Sequence, residues 1–335
     1  MSHSVVIGGA GFVGSWLVEE ILKNPKSRIT IIDNLVSSEK WNISTDKRVN
    51  FIEGSATSFS TFDKIVGSID YIYQLSCYHG NQSSIVNPLE DFDNSLKTTL
   101  VTLEWVKHNC PATRIIYSSA GCAVAEKTWD TPVPVDEIDM TSLIQDSPYS
   151  ISKIGGEMYC LFYARRFDLD IVRVRFQNVF GPREILGAGV WRGTENTIWR
   201  NVIPTFIWKA IHGNEIEIFG DATRDFVYVE DVALGVKLAS QRGKSGDVYN
   251  IATGVETSIH YLANHILMMV DSPSDLIVKT RRSWDHSGRR FASTKKSREI
   301  LGFEATTTVN EGLKRTVDWT MQNLDLIAKT IAKHL

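Results

Sequence analysis

The chain reads as an α/β protein, a doubly wound parallel sheet with a smaller C-terminal α/β lobe that would hold the substrate. Two patterns predict it. Short runs rich in Val, Ile, Tyr and Phe recur at Val5–Ile7, Arg28–Asp33, Val49–Glu53, Tyr71–Leu75, Arg114–Ser118 and Ile171–Phe176. Between them lie stretches with apolar residues at helical spacing, such as Gly14–Leu22 and Ser95–Asn109. Strand alternating with helix implies crossovers that cover both faces of a parallel sheet. A third observation sharpens the class: the glycine string Gly8-Gly9-Ala10-Gly11-Phe12-Val13-Gly14 stands between the first strand and the first helix.

Taken in order, the first element explains the glycines. Val5-Val6-Ile7 runs straight into Gly8-x-x-Gly11-x-x-Gly14 and then into Ser15-Trp16-Leu17-Val18. Glycine is needed where the backbone turns sharply, lets a pyrophosphate approach, and packs helix on strand while the helix N-terminus faces the anion. Gly8, Gly11, Phe12, Val13 and Gly14 are therefore the expected cradle of a Rossmann-type dinucleotide site. The second strand ends in Asp33-Asn34, about twenty residues beyond the glycines. A carboxylate there accepts both ribose hydroxyls and repels a 2′-phosphate, so NAD is expected over NADP.

The next chemistry-bearing element begins at Asp146-Ser147-Pro148, a helix-start signal, and runs to about Arg166. Tyr149 and Lys153 are four apart and share one face of that helix. A phenol is a poor base at neutral pH, but an ammonium beside it and a positive nicotinamide stabilise the phenolate. The spacing alone is common; its company makes it informative.

Those residues make the chain resemble the extended short-chain dehydrogenases, and among them the NAD-dependent nucleotide-sugar epimerases and dehydratases, similar to UDP-glucose 4-epimerase. The resemblance runs from Val5 to about Trp319. It includes Asp70–Leu75, with Leu75 expected at the cofactor, and Asn94 in the following helix. It continues with Arg175–Arg183, with Asn201-Val202-Ile203-Pro204 and with Gly220–Val232. It implies that Asn178, Val202, Arg224 and Arg282 hold a sugar-nucleotide diphosphate, arginine suiting a diphosphate through its bidentate fork. Ser55 stands where relatives usually carry aspartate against the adenine.

One loop departs from the family pattern. The catalytic hydroxyl of such enzymes follows the fifth strand, where this chain reads Tyr117-Ser118-Ser119-Ala120-Gly121-Cys122-Ala123-Val124-Ala125. An ungapped count puts Ala120 at that position, whereas a bulge of one or two residues puts Ser119 there. We expect Ser119, with Ser118 as its understudy. The same loop carries neither the Asp-Glu pair used to eliminate water nor the Glu used to decarboxylate a uronic acid. Reversible oxidation at C4 is the simplest chemistry left, making a 4-epimerase the expected function. A keto-sugar reductase or dehydrogenase, another nucleotide-sugar modification, and a non-catalytic dinucleotide-binding module are the alternatives. Arg290 is expected near the sugar, with Arg289 beside it in solvent; Ile185 stands where uronate-handling relatives can carry arginine.

Domain organisation and composition complete the reading. Residues 1–176 are expected to form the NAD-binding part, with segments near 220–252 returning to it, and 177–335 mainly the substrate lobe. Val36–Lys47, Glu126–Pro148 and Gly181–Trp199 look like loops. With 335 residues, 43% apolar, and a formal charge of −3, no cationic field invites nucleic acid or anionic lipid. No stretch approaches the roughly 18 apolar residues that span a bilayer, and no basic leader precedes Val5, so a cytoplasmic enzyme is expected. Cys77, Cys110, Cys122 and Cys160 lack zinc-like spacing, so neither metal nor disulfide is expected. A homodimer through helices Ser95–Asn109 and Pro148–Arg166 is what similar enzymes imply.

Overall fold

The computed structural model describes residues 2–78, 80–124, 128–139, 141–185, 201–286 and 288–334; most of the Gly181–Trp199 patch and part of Glu126–Pro148 lie outside the described residues. The strands are β1 Ser2–Ile7, β2 Ser27–Asp33, β3 Val49–Glu53, β4 Tyr71–Gln74, β5 Arg114–Ala120 and β6 Ile171–Phe176. They continue with β7 Asn178–Phe180, β8 Ile216–Phe219, β9 Thr223–Arg224, β10 Phe226–Tyr228, β11 Val248–Ile251, β12 Thr257–Ser258 and β13 Leu276–Lys279. The principal helices are α1 Phe12–Leu22, α2 Thr98–Asn109, α3 Gly121–Val124 and α4 Pro148–Phe167. Beyond them come α5 Val202–Ile211, α6 Val229–Arg242, α7 Ile259–Met269 and α8 Val309–Gln322.

Seven strands make the central sheet in the order β11-β6-β5-β4-β1-β2-β3, every neighbouring pair parallel. Burial on both faces follows from the two-residue side-chain period. Val6, Ile31, Ile116 and Val174 meet Leu17, Val18 and Ile21 of α1 and Val232 and Val236 of α6. Their neighbours Val5, Ile7, Ile32, Ile115 and Tyr117 meet Leu103 and Val106 of α2 and Cys160 and Tyr163 of α4 on the other face. Each fully buried large apolar side chain stabilises this packing by about 1.5–3 kcal/mol. A separate core joins Phe206 and Ile207 of α5, Ile216 and Ile218 of β8, Leu262 and Ile266 of α7 and Leu313 of α8.

The carboxylate of Asp225 ties these parts together. It is fully buried and accepts hydrogen bonds from the amides of Thr253 (3.0 Å), Gly254 (2.9 Å) and Ala292 (3.3 Å) and from the Thr253 hydroxyl (2.6 Å). The Arg224-Asp225-Phe226 motif thus has a structural member alongside its arginine.

Two elements differ from the sequence expectation. β5 runs two residues farther, pairing without a bulge through Ser118↔Val174, Ser119↔Arg175 and Ala120↔Phe176. The single helix expected over Ser95–Asn109 is preceded by a π-helical turn, Phe92–Lys97. There the hydroxyls of Thr98 and Thr99 donate back to the carbonyls of Asn94 (3.0 Å) and Ser95 (2.9 Å), and such back-bonding competes with the helical ladder.

Candidate active site

The glycine turn sits at the carboxyl end of β1, between β2 and β4, where the winding of the sheet reverses and ligands of open α/β sheets bind. Gly8 has φ +80°, and a Cβ there would fall 2.9 Å from the backbone nitrogen of Ser76. At Gly14 a Cβ would lie 2.1 Å from the Gly8 carbonyl oxygen, so α1 rests on the turn itself. Gly11, as N-cap, offers no side chain to the first-turn amides of α1, which leaves them for an anion. Asp33 closes the cradle: its Oδ2 accepts the Ala10 amide (3.0 Å), and its Oδ1 accepts the Leu35 amide (2.9 Å) and the Ser38 hydroxyl (2.8 Å). Burial pushes the Asp33 carboxyl above its ordinary value, against the pull of those hydrogen bonds.

One cavity is lined by the predicted residues Gly8, Gly11, Phe12, Val13, Gly14, Asp33, Asn34, Leu75, Ser118, Ser119, Tyr149, Lys153 and Asn178. Ser55, Val202, Arg224 and Arg282 are not among its lining. The Ser55 hydroxyl is engaged with Thr57 (2.9 Å) while Gly54 and Ala56 face the cavity. Val202 packs on the second core as the first residue of α5, and its N-cap Asn201 lines the cavity instead.

Tyr149 and Lys153 lie in the first two turns of α4, which starts at Pro148 because the Ser147 hydroxyl accepts the Ser150 amide at 3.3 Å. The Lys153 ammonium donates to the Ser118 carbonyl (2.8 Å) and stands 5.8 Å from the Tyr149 ring centroid. Burial holds the Tyr149 phenol well above its usual value, and Cys77, Cys122, Tyr117 and Asp91 push the same way. A positive charge beside the ring, such as the Lys153 ammonium or a bound nicotinamide, works against this upward push.

Near the end of β5, Ser118 donates to the Gln74 carbonyl (3.0 Å). The bulge that would carry Ser119 forward is not formed, yet Ser119 is 2% exposed and its hydroxyl has no regular hydrogen-bond partner. It lies close enough to Glu157 to help lower that carboxyl. Glu157 is one turn beyond Lys153 and takes Arg175 in two bonds (2.9 and 3.0 Å), with Arg173 at 3.3 Å.

The arginines expected at the diphosphate are engaged within the protein. Arg224 donates to the carbonyls of Thr223 and Gly288 and pairs with Asp285 at 2.9 Å; burial and the neighbouring Arg290 push its guanidinium down to about 10. Arg282 stacks over the Phe219 ring at 4.1 Å. Arg290, 6% exposed, lines the cavity with Ile185. Arg289 is not simply solvated, since it pairs with Glu256 at 2.9 and 3.0 Å.

Sequence reasoning passed over Asn42, whose side-chain amide donates to the carbonyls of Ala10 (2.9 Å) and Gly11 (3.2 Å) while its Oδ1 is buried without a partner in the same cavity. It also passed over Trp41, Gln177 and Arg183 of the lining. Asn42 and Trp41 come from a loop without periodicity, and no local pattern marks them.

A glycine turn at the switch point, an acid closing the second strand and a Tyr–Lys pair facing one cavity define an enzyme of the short-chain dehydrogenase type. The chain belongs to the NAD dependent epimerase/dehydratase family, whose profile matches residues 4–252. It is 44% identical to the Bordetella bronchiseptica enzyme WbmF solved with NAD+ and UDP, over 99% of this chain and 96% of that one, with a TM-score of 0.86. It is 30% identical to a putative UDP-glucose 4-epimerase of Methanocaldococcus jannaschii, over 95% of this chain and 98% of the relative. A trifunctional UDP-glucose 4,6-dehydratase/3,5-epimerase/reductase of Arabidopsis thaliana is 28% identical over 95% of this chain, which spans about half of that enzyme's length (47%). NAD is the cofactor, as the family and the NAD-bound relatives establish. The residues present fit it: the glycine turn excludes any Cβ, Asp33 is held as an acceptor, and the buried Oδ1 of Asn42 awaits a donor. Among the described residues there is no metal-ligating cluster and no helix long and apolar enough to cross a membrane.

Proposed function

We propose that this chain is a nucleotide-sugar 4-epimerase that works by transient oxidation at C4. The observation that carries the reading is the position of Tyr149 and Lys153, which line the same cavity as the glycine turn and Asn178. The first-turn amides of α1 would hold the pyrophosphate of NAD and Asp33 its adenosine ribose, while Lys153 reaches the nicotinamide ribose. Bound NAD supplies a hydride acceptor and donor at C4.

The chain's own residues do the rest. Tyr149 takes the proton of the C4 hydroxyl and gives it back when the sugar is reduced on its other face; Lys153 holds the phenol's charge in both directions. Ser119, buried beside Glu157, polarises the C4 oxygen, and Ser118 fixes Lys153. Asn178, Arg224, Arg282 and Val202 are assigned to the nucleotide diphosphate; for Arg224 this requires exchanging part of its Asp285 contact for phosphate. The UDP bound in WbmF and the UDP-sugars in the relatives' names support uridine as the base.

Residues 1–176 with 220–252 make the NAD-binding part in this reading, and the remainder of 177–335 the substrate part. A homodimer is supported by an exposed apolar stripe on α4, Ile151, Met158 and Phe162, beside exposed Leu89 and Phe92. A cytoplasmic site suits the four free thiols. The test is incubation with UDP-, dTDP-, CDP- and GDP-sugars with products read by NMR. Inversion at C4, with near-stoichiometric NAD retained through purification, is expected; net reduction with exchanging cofactor refutes the epimerase.

A further inference from the structure

The loop between β2 and β3 closes one end of the cavity and is fastened at two points. The Ser38 hydroxyl donates to Oδ1 of Asp33 (2.8 Å), and the Asn42 side-chain amide donates to the carbonyls of Ala10 (2.9 Å) and Gly11 (3.2 Å). Between these points the loop carries Trp41, in the 3₁₀ turn Lys40–Asn42. Ser38, Trp41 and Asn42 all line the cavity. Trp41 is 37% exposed, so burial within its own loop does not account for an indole at this place. Its ring stacks instead on that of Trp319, with centroids 6.4 Å apart and planes at 28°.

Trp319 belongs to α8, which is anchored apart from the glycine turn. At the start of that helix the Thr308 hydroxyl accepts the Glu311 amide (3.3 Å), and the Glu311 carboxylate accepts the Thr308 amide (3.0 Å) in return. Gly312 lies so close to Phe180 of β7 that a Cβ would fall 2.6 Å from its Cζ, and Leu313 and Val317 are buried. Trp319 itself is half-buried and is not part of the cavity lining. It packs on the cluster of Ile185, Trp208, Ile327 and Ile331, the last two from the helix Leu324–His334. Ile185 of that cluster, 3% exposed, lines the cavity. Trp319 thus stands outside the site and packs toward two of its walls, Trp41 at the glycine turn and the cluster that holds Ile185.

We propose that Trp319 is a positioning residue for NAD: through the stacked ring of Trp41 it holds the β2–β3 loop closed on the glycine turn, and so sets the rate at which the cofactor leaves. The inference goes beyond C4 chemistry, because it depends on the cofactor and on no particular sugar. Opening the loop at Trp41 parts the two indoles and exposes their facing surfaces to water. An aromatic pair of this kind shifts an equilibrium by roughly 2–10-fold beyond the effect of the area it buries. The post that closes the cofactor end is therefore supplied by α8, from the C-terminal part of the chain, and the same residue supports the wall at Ile185.

The test loads the full chain with NADH, mixes it with an excess of NAD and follows release as the loss of bound-NADH fluorescence. Trp319→Ala and Trp41→Ala are each expected to release NADH roughly 2–10-fold faster than the wild type, and Trp319→Phe, which keeps a ring, at close to the wild-type rate. The double variant should release no faster than the faster single one, because two residues acting through one contact are not additive. A purely structural loss at Trp319 would add to the effect of Trp41→Ala instead. If Trp319→Ala does not fold, Trp319→Leu, which keeps apolar volume without a ring, takes its place with the same expectation. Unchanged release in the Trp319 variants, or additive effects in the double variant, overturns the inference. Product NMR with the nucleotide sugars tests C4 inversion separately, so the epimerase reading can fail while this one stands, and the reverse.

Discussion

Asp33→Asn separates the two jobs that one carboxylate performs. In the wild type the Leu35 amide and Ser38 hydroxyl donate to Oδ1 and the Ala10 amide to Oδ2, so every protein donor meets an acceptor. Asparagine keeps one oxygen; with that oxygen facing Leu35 and Ser38, its NH2 faces the Ala10 N–H, and one charge-assisted hydrogen bond is lost. Such a bond is worth about 1.5–3 kcal/mol. Part of the loss falls on the glycine turn and part on NAD, whose ribose also loses an acceptor. NAD affinity should drop at least about tenfold, or roughly 1.4 kcal/mol. NADP should lose less, because a carboxylate and a phosphate about 4 Å apart repel by about 4 kcal/mol at an effective dielectric of 20, and that repulsion disappears. The expected result is a wild type preferring NAD by at least about tenfold and a variant in which the preference nearly vanishes. Isothermal titration of cofactor-stripped protein with both dinucleotides at one salt concentration measures it. Because burial raises the Asp33 pKa, wild-type NAD affinity should fall on acidification at a higher pH than an ordinary aspartate would dictate, and the variant should lack that fall. Equal wild-type affinities, or an unchanged ratio in Asp33→Asn, would refute the reasoning.

Four further outcomes are expected. Tyr149→Phe should leave NAD and substrate binding nearly intact while turnover drops roughly 10²–10⁴-fold; Lys153→Met should lower turnover and weaken NAD as well, both read by steady-state kinetics and titration. Ser119→Ala should cut turnover more than Ser118→Ala, and equal small effects would leave the C4 oxygen without a serine partner. Glu157→Gln strands Arg173 and Arg175, whose side chains are 11% and 7% exposed, so denaturant unfolding at neutral pH should show a loss of about 3–5 kcal/mol. Although burial pushes the Glu157 carboxyl up, Arg175 holds it below its ordinary value, so its stabilisation is present above the unfolded-state pKa and lost as pH falls through the folded one; the gap between wild type and variant should close in acid. Arg282→Ala should raise KM more than it lowers kcat, the mark of binding that is uniform between ground and transition state.

What the sequence alone determined about this protein is what local physics writes into short segments. Glycine spacing between a strand and a helix marks the cradle because only a missing Cβ fits against Gly8 and Ser76, and an acid closing the next strand must lie beside it. A tyrosine and a lysine four apart must share a face of one helix, and strands alternating with helices must wind into a parallel sheet. Tertiary structure decided what depends on residues distant in sequence. Only the pairing of β5 with β6 shows that Ser119 arrives without a bulge. Only the packing of 224 against 285 and 288 shows Arg224 already satisfied, and only the cavity brings Asn42, Gln177 and Cys122 together. These placements come from long-range burial and from hydrogen bonds that no periodicity encodes, and so the segment Ser118–Cys122, where β5 passes into α3, was the part least legible in the sequence.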